Sequence, residues 1–160
     1  MKRHRSLHPL SEHHHHALVQ TLSIRRAEEA PEPERSAALE TAGHTLLQHW
    51  KMTGRKHFQE EEEILLPAYS WHTQLNEDST VMQMLMQHAQ IRARMEQLET
   101  LLSSKQPAGA EVIALGKLLH EHVRLEEDKL FPRIEAELSE EELLALGQGF
   151  TRLHKEQEEQ

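Results

Sequence analysis

Apolar residues recur along this chain with the period of a helix. Leu46, Trp50, His57, Glu61, Ile64 and Ala68 are spaced by three, four and seven, which is one face of a helix. Val81, Leu85, His88, Met95 and Leu102 form a second stripe, and Leu115, Leu118, His122, Glu126 and Leu130 a third. Each stripe is apolar except near its middle, where a His stands; in two of them a Glu follows one turn later. Turn-forming residues separate the stripes: Pro31 and Pro33 in AEEAPEPER, Asn76 and Asp78 between His72 and Ser79, and Pro107 and Gly109 in SSKQPAGA. A further break falls near Leu138, where Ser139 and Glu142 have the form of a capping box. The breaks predict helical segments of about 16, 38, 27, 29 and 20 residues, four main helices and a short fifth. The fifth, Ser139 to Gln160, carries Leu143, Leu144, Leu146, Phe150 and Leu153, a stripe suited either to capping a bundle or to contact in a homodimer.

Composition narrows the class. Aromatics are 4% of the residues, too few to favour a sandwich or barrel, so an all-α protein is expected. A length of 160 residues suits one domain over 1–160, with the bundle at about 10–138 and a C-terminal helix at about 139–158. The chain has no Cys, which removes disulfides, zinc ribbons, thiol nucleophiles and cysteine-held clusters; any metal must be held by imidazole and carboxylate. A net charge of -9 with scattered basic residues argues against a nucleic-acid partner, and Lys2, Arg3 and Arg5 read as a frayed tail. No apolar run approaches membrane length and the N-terminus lacks a signal peptide's apolar centre, so a cytoplasmic protein with no membrane partner is expected. Against this plain background, 14 His need an explanation.

A weak internal repeat supplies one. HFQEEEEILLP, from His57 to Pro67, matches HVRLEEDKLFP, from His122 to Pro132, in its His, two Glu, apolar pair and Pro. Two helical hairpins related by a pseudo-two-fold axis would face these segments toward each other. His and Glu at i and i+4 lie one above the other, so His57 with Glu61 and His122 with Glu126 offer two imidazoles and two carboxylates. A lone pair of this kind is usually solvated. Two on apolar stripes are not, because a buried carboxylate needs a cation. His88 would add a ligand from the third helix and one of His13 to His16 from the first. Within that run, behind a presumed N-cap at Ser11, His15 has Leu18 and Leu22 at the offsets where His88 has Ile91 and Met95, so His15 is preferred and His14 is second. Imidazole and carboxylate donors suit iron or manganese, with zinc as an alternative.

These segments resemble the hemerythrin-like HHE cation-binding domains, through H57FQEEEEILLP, Q87HAQIR and H122VRLEEDKLFP and, more weakly, L10SEHHHHAL. The resemblance spans about Leu10 to Leu138 and implies an up-down-up-down four-helix bundle around two non-haem iron ions bridged by carboxylates. Carried over by position, the ligands would be His15 (or His14), His57, His88 and His122, with Glu61 and Glu126 bridging and Glu62 in reserve. Oxygen-carrying hemerythrins have a further His where this chain has Arg92, which makes simple carriage less fitting than reaction, sensing or metal handling. The expected ligand is oxygen, peroxide or nitric oxide, and the expected activity either a peroxide- or oxygen-reactive one or a non-enzymatic iron or oxygen sensor stabilised by its metal. Other residues receive plainer roles: Glu60 to Glu63 as a solvated face apart from Glu61, Arg92 paired with Glu96 or Glu99, and Trp50, Phe58, Phe131, Met82, Met84, Met86 and Met95 as packing. His4, His8, His44, His49, His72 and His154 are expected at the surface or outside the ligand set.

Overall fold

The breaks read from the sequence separate the helices of the computed structural model, which describes residues 2–158. Met1, Glu159 and Gln160, the outermost residues of the expected domain, lie outside the described residues. After a 3-10 turn at Arg5–Leu7 come α1 (His8–Glu29), α2 (residues 34–69), α3 (Ser79–Ser103), α4 (residues 109–137) and α5 (Glu140–Glu158), with no strand among the described residues. α1 is 22 residues, longer than expected, because it starts at His8 with Pro9 in its first turn, where a missing N–H costs nothing. Ser11 is therefore inside the helix, and its hydroxyl donates to Glu127 Oε1 at 2.7 Å instead of capping. Asp78 caps α3 by accepting from the backbone of Thr80 and Val81. The capping box of α5 is formed, with Ser139 N donating to Glu142 Oε2 at 2.8 Å and Glu142 N to Ser139 Oγ at 3.3 Å.

α2 and α4 are not regular throughout. Each widens into a π turn that begins at a Glu of the repeat, Glu61–Leu65 and Glu126–Leu130, and α2 has another at Trp50–Gly54. Pro67 and Pro132 follow the first two; a proline ring cannot donate and crowds the carbonyl four residues back, and the wide turn accommodates it. The extra residue also moves the inward stripe. Leu65 and Tyr69 are buried where a regular helix would bury Ile64 and Ala68, which are only half-buried.

The four long helices run up-down-up-down, α1 packed on α2 and α4, and α3 on α4 and α2. α2 and α4 also meet across the bundle. Gly43 permits this, since a Cβ there would stand 2.8 Å from Val112 Cγ2; Gly116 does the same for α1 and α4, since a Cβ there would stand 2.9 Å from Ile24 Cγ2. The apolar core is in two parts. One gathers Leu10, Leu65, Val81, Leu130 and Phe131, the other Ile24, Leu46, Ile91, Leu98 and Leu115, and a polar layer separates them. α5 adds Leu143, Leu146 and Phe150 to the first part, so its stripe caps the bundle. Met84 and Met95 are packing residues as expected, whereas Met82 and Met86 stand 41% and 60% exposed. No described helix is long and apolar enough to cross a membrane.

Candidate metal centre

The polar layer consists of His14 from α1, His57 and Glu61 from α2, His88 from α3, and His122 and Glu126 from α4, all at most 5% exposed. Five of these are the residues picked out by helical phase. The sixth is His14, not His15, which faces solvent. The inward stripe of α1 runs Leu10, His14, Ala17, Thr21 and Ile24, while Leu18 is half-buried and Leu22 is 36% exposed. Ala17 and Thr21 on this face are small, so the inward stripe carries little hydrophobic signal, and a phase taken from the leucines points one residue too far.

The donor atoms fall into two groups that share both carboxylates. His14, His57, Glu61 and Glu126 bring one atom each to within 4.8 Å of one another, and so do His88, His122, Glu61 and Glu126. Within the first group His14 Nε2 and His57 Nε2 are 2.8 Å apart, and His57 Nε2 lies 3.2 Å from Glu61 Oε1. Within the second, His122 Nε2 is 3.2 Å from Glu126 Oε1 and His88 Nε2 is 3.3 Å from Glu61 Oε2. Yet both oxygens of Glu61, both of Glu126, and Nε2 of His88 and His122 have no hydrogen-bond partner. Even His14 Nε2, 2.8 Å from Glu126 Oε2, is not aligned with it as a hydrogen bond. Buried polar atoms are normally paired, and a convergence of orphaned lone pairs is the arrangement a cation satisfies.

The outer edge of each imidazole is held as well. His14 Nδ1 meets Glu127 Oε1 at 2.7 Å, and Arg3 pairs with the other oxygen of Glu127 at 2.7 Å. The second half repeats this with other residues: His88 Nδ1 meets Glu62 Oε1 at 2.6 Å, and Arg92 pairs with Glu62 at 2.8 Å. Phe131 stacks on His14 at 5.3 Å between centroids and Phe58 on His88 at 3.7 Å, with Arg3 and Arg92 over those rings. His122 Nδ1 contacts Gln87 Oε1 at 3.2 Å, and His57 Nδ1 contacts His13 Nδ1 at 3.3 Å. Occupying Nδ1 on the outside fixes ring orientation and leaves Nε2 directed inward.

Several expectations are corrected by these contacts. Arg92 pairs with Glu62, not with Glu96 or Glu99, and Glu99 is taken by Lys51. Glu62 is an outer partner of His88 rather than a reserve ligand in either donor group. Arg3 is tied to Glu127 and Glu135 instead of fraying. Glu60 is fully buried instead of solvated. The signal for Glu62 and Glu127 was the second Glu of the repeat; nothing local marked Arg3 or Glu60. His72 does lie at the surface, where it contacts Glu142 at 2.8 Å, and His154 contacts Glu60.

The charges of the layer hold one another in place. Burial pushes the His14 and His88 imidazoles down, but contacts with Glu126, Glu61 and the outer carboxylates outweigh it, so His14 is held well above the usual range and His88 at about 10. Burial prevails at His122, which is lowered to about 4. Glu61 and Glu126 are both lowered against their burial, Glu61 chiefly by His57, and Glu126 by His122 despite the opposing charge of Glu61. Glu62 and Glu127 are likewise held at about 2, burial being overcome by His88 and Arg92 in one case and by His14, Ser11 and Arg3 in the other.

Beside the layer is a cavity of about 30 Å³, lined by His14, His57 and His122 and by an otherwise mostly apolar wall that includes Trp50, Gly54 and Phe58. That volume accepts one or two atoms. The hemerythrin HHE cation-binding domain matches residues 8–134, most of the chain and all six buried ligand-type side chains. The chain belongs to the hemerythrin HHE family. No match was found among curated proteins or among solved structures. The family's description names cation binding, and the buried His/Glu groups of this hemerythrin HHE domain are side chains able to hold a metal ion. The position at which Arg92 stands is here part of the outer support of His88.

Proposed function

We propose that His14, His57, Glu61, His88, His122 and Glu126 hold two non-haem iron ions and that the protein binds or reacts with oxygen, peroxide or a related diatomic molecule there. The observation that carries this reading is the pair of four-donor groups with both carboxylates in common, each oxygen lacking a hydrogen-bond partner. Two imidazoles and two carboxylate oxygens per ion, with no thiolate, suit iron or manganese. Such a pair, when bound, supplies two electrons to an oxidant and keeps coordination positions for it. The chain's own part is to orient the donors: Glu127 and Glu62 fix His14 and His88, while Phe131 and Phe58 shield them. The cavity between His57, His122 and Trp50 has a volume suited to a molecule of diatomic size.

Rapid mixing of anaerobically reduced, iron-loaded protein with oxygen or peroxide tests the reading, with absorbance and oxidant consumption followed together. Repeated consumption identifies an enzyme and one stoichiometric spectral change identifies a binder. An iron-loaded protein inert to both, and to nitric oxide, would refute it. The division of the apolar core by the polar layer favours a second reading, an iron or oxygen sensor whose folding is its output. Without a cation that layer burdens the core, so metal loss loosens the bundle. Unchanged melting after complete chelation would exclude the sensor.

A further inference from the structure

The two halves of the centre differ in one respect. The repeat pairs His57 with His122 and Glu61 with Glu126, and it therefore pairs Glu60 with Leu125. On the other two helices His14 corresponds to His88, so His13 corresponds to Gln87. One half thus has Gln and Leu next to its ligands where the other has His and Glu. Glu60 is 0% exposed, and its Oε2 has no hydrogen-bond partner. That oxygen lies 3.5 Å from His13 Nδ1 and 3.9 Å from His57 Nδ1, and the two nitrogens are 3.3 Å apart. Its other oxygen contacts His154, whose side chain is 44% exposed.

Two ring nitrogens, from α1 and α2, thus converge with a buried, unsatisfied carboxylate oxygen of α2, on the side of His57 that faces away from the centre. Charge separates this place from the other outer carboxylates. Arg3 neutralises Glu127 and Arg92 neutralises Glu62, and a guanidinium repels an approaching cation. Glu60 is paired only with histidines among the described residues. The six centre ligands are sealed, whereas the His13 side chain is 24% exposed and reaches solvent.

We propose that His13, Glu60 and the outer nitrogen of His57 form a third, weaker site for a first-row divalent cation, between the dinuclear centre and solvent, with His154 at its mouth. The donor set, two imidazoles and a carboxylate, suits Fe2+, Co2+ or Zn2+. An ion held there is one imidazole ring from the centre, in the position of a loading site; when both places are filled, His57 bridges them as an imidazolate and its ring proton leaves to solvent. The inference rests on the reading of the six buried side chains as a two-metal centre.

Titration of the metal-stripped full chain with Co2+ under anaerobic conditions, followed by calorimetry and by cobalt absorption, tests both ideas separately. Two tight equivalents and a weaker third are expected. Glu60→Leu and His13→Gln give this half the residues of its counterpart, and each is expected to abolish the third equivalent and keep the first two. His13→Gln changes a position that reaches solvent and serves if Glu60→Leu folds poorly. Saturation of the wild type at two equivalents, or a third equivalent that survives both substitutions, would overturn the loading site and leave the centre standing. Wild type that takes up no Co2+ would overturn both.

Discussion

His14→Ala and His15→Ala remove neighbouring residues of one histidine run and should have very different consequences. His14 is 2% exposed, stacks on Phe131, contacts Glu127 and faces both central carboxylates. In the metal-free protein its raised pKa makes it a cation among carboxylates, so its removal leaves buried negative charge uncompensated. Breaking a buried pair from one side costs about 3–5 kcal/mol. For a chain of this size each kcal/mol lowers Tm by roughly 2–4 °C, which gives a loss on the order of 10 °C. With metal present the deficit grows, because one group of donors loses a nitrogen. His15 is exposed, and its replacement should stay within about 0.5 kcal/mol. Scanning calorimetry of both variants, with chelator and after iron loading, together with metal content, is the assay. A His14→Ala protein that melts and binds iron like wild type, or a His15→Ala protein that loses iron, would refute the placement of α1.

Metal uptake should release about two protons per chain at neutral pH, because His14 and His88 are held protonated by the carboxylates and must be neutral to ligate. The apparent affinity then rises with pH through the neutral range; indicator-dye titration showing no release would contradict this. Glu142 is held at about 2, first by the Ser139 backbone N–H and then by His72 and the Ser139 hydroxyl. A lowered folded-state pKa gives stability that is complete above the usual carboxylate range and is lost as pH falls toward 2. Glu142→Gln should remove that acid-side loss, seen as a smaller difference in Tm between neutral and acidic buffer than wild type shows. Gly54→Ala puts a methyl 2.5 Å from Trp50 Cε3, so Trp50 must shift at the wall of the cavity. The expected cost is about 1–3 kcal/mol, with altered kinetics of oxidant entry; a variant unchanged in both would show that Trp50 does not shape the cavity.

Much of the candidate centre was legible in the sequence because a His–Glu pair at i and i+4 and its repetition are local facts. His57, Glu61, His122 and Glu126 needed only helical phase and the shared Pro, and His88 followed from its own stripe. His14 was harder to place. Its helix face includes Ala17 and Thr21, which read as neutral in any hydrophobic pattern yet are buried. The π turns were also hidden: two of them lie just ahead of Pro67 and Pro132, and the one at Glu61–Leu65 exchanges Ile64 and Ala68 for Leu65 and Tyr69 in the core. The outer carboxylates were half visible: the repeat contained Glu62 and Glu127, but the arginines that hold them lie on other elements. Glu60 stood in a run of four glutamates, where only the tertiary fold shows which ones turn inward.

The most direct test of the central claim is iron analysis combined with Mössbauer spectroscopy, on protein produced in iron-replete cells and purified without metal-affinity resin. Two irons per chain with coupled spins are predicted, both lost on substitution of Glu61 or Glu126. A folded chain that carries no metal under these conditions, or a single ion unaffected by either glutamate, would contradict the account.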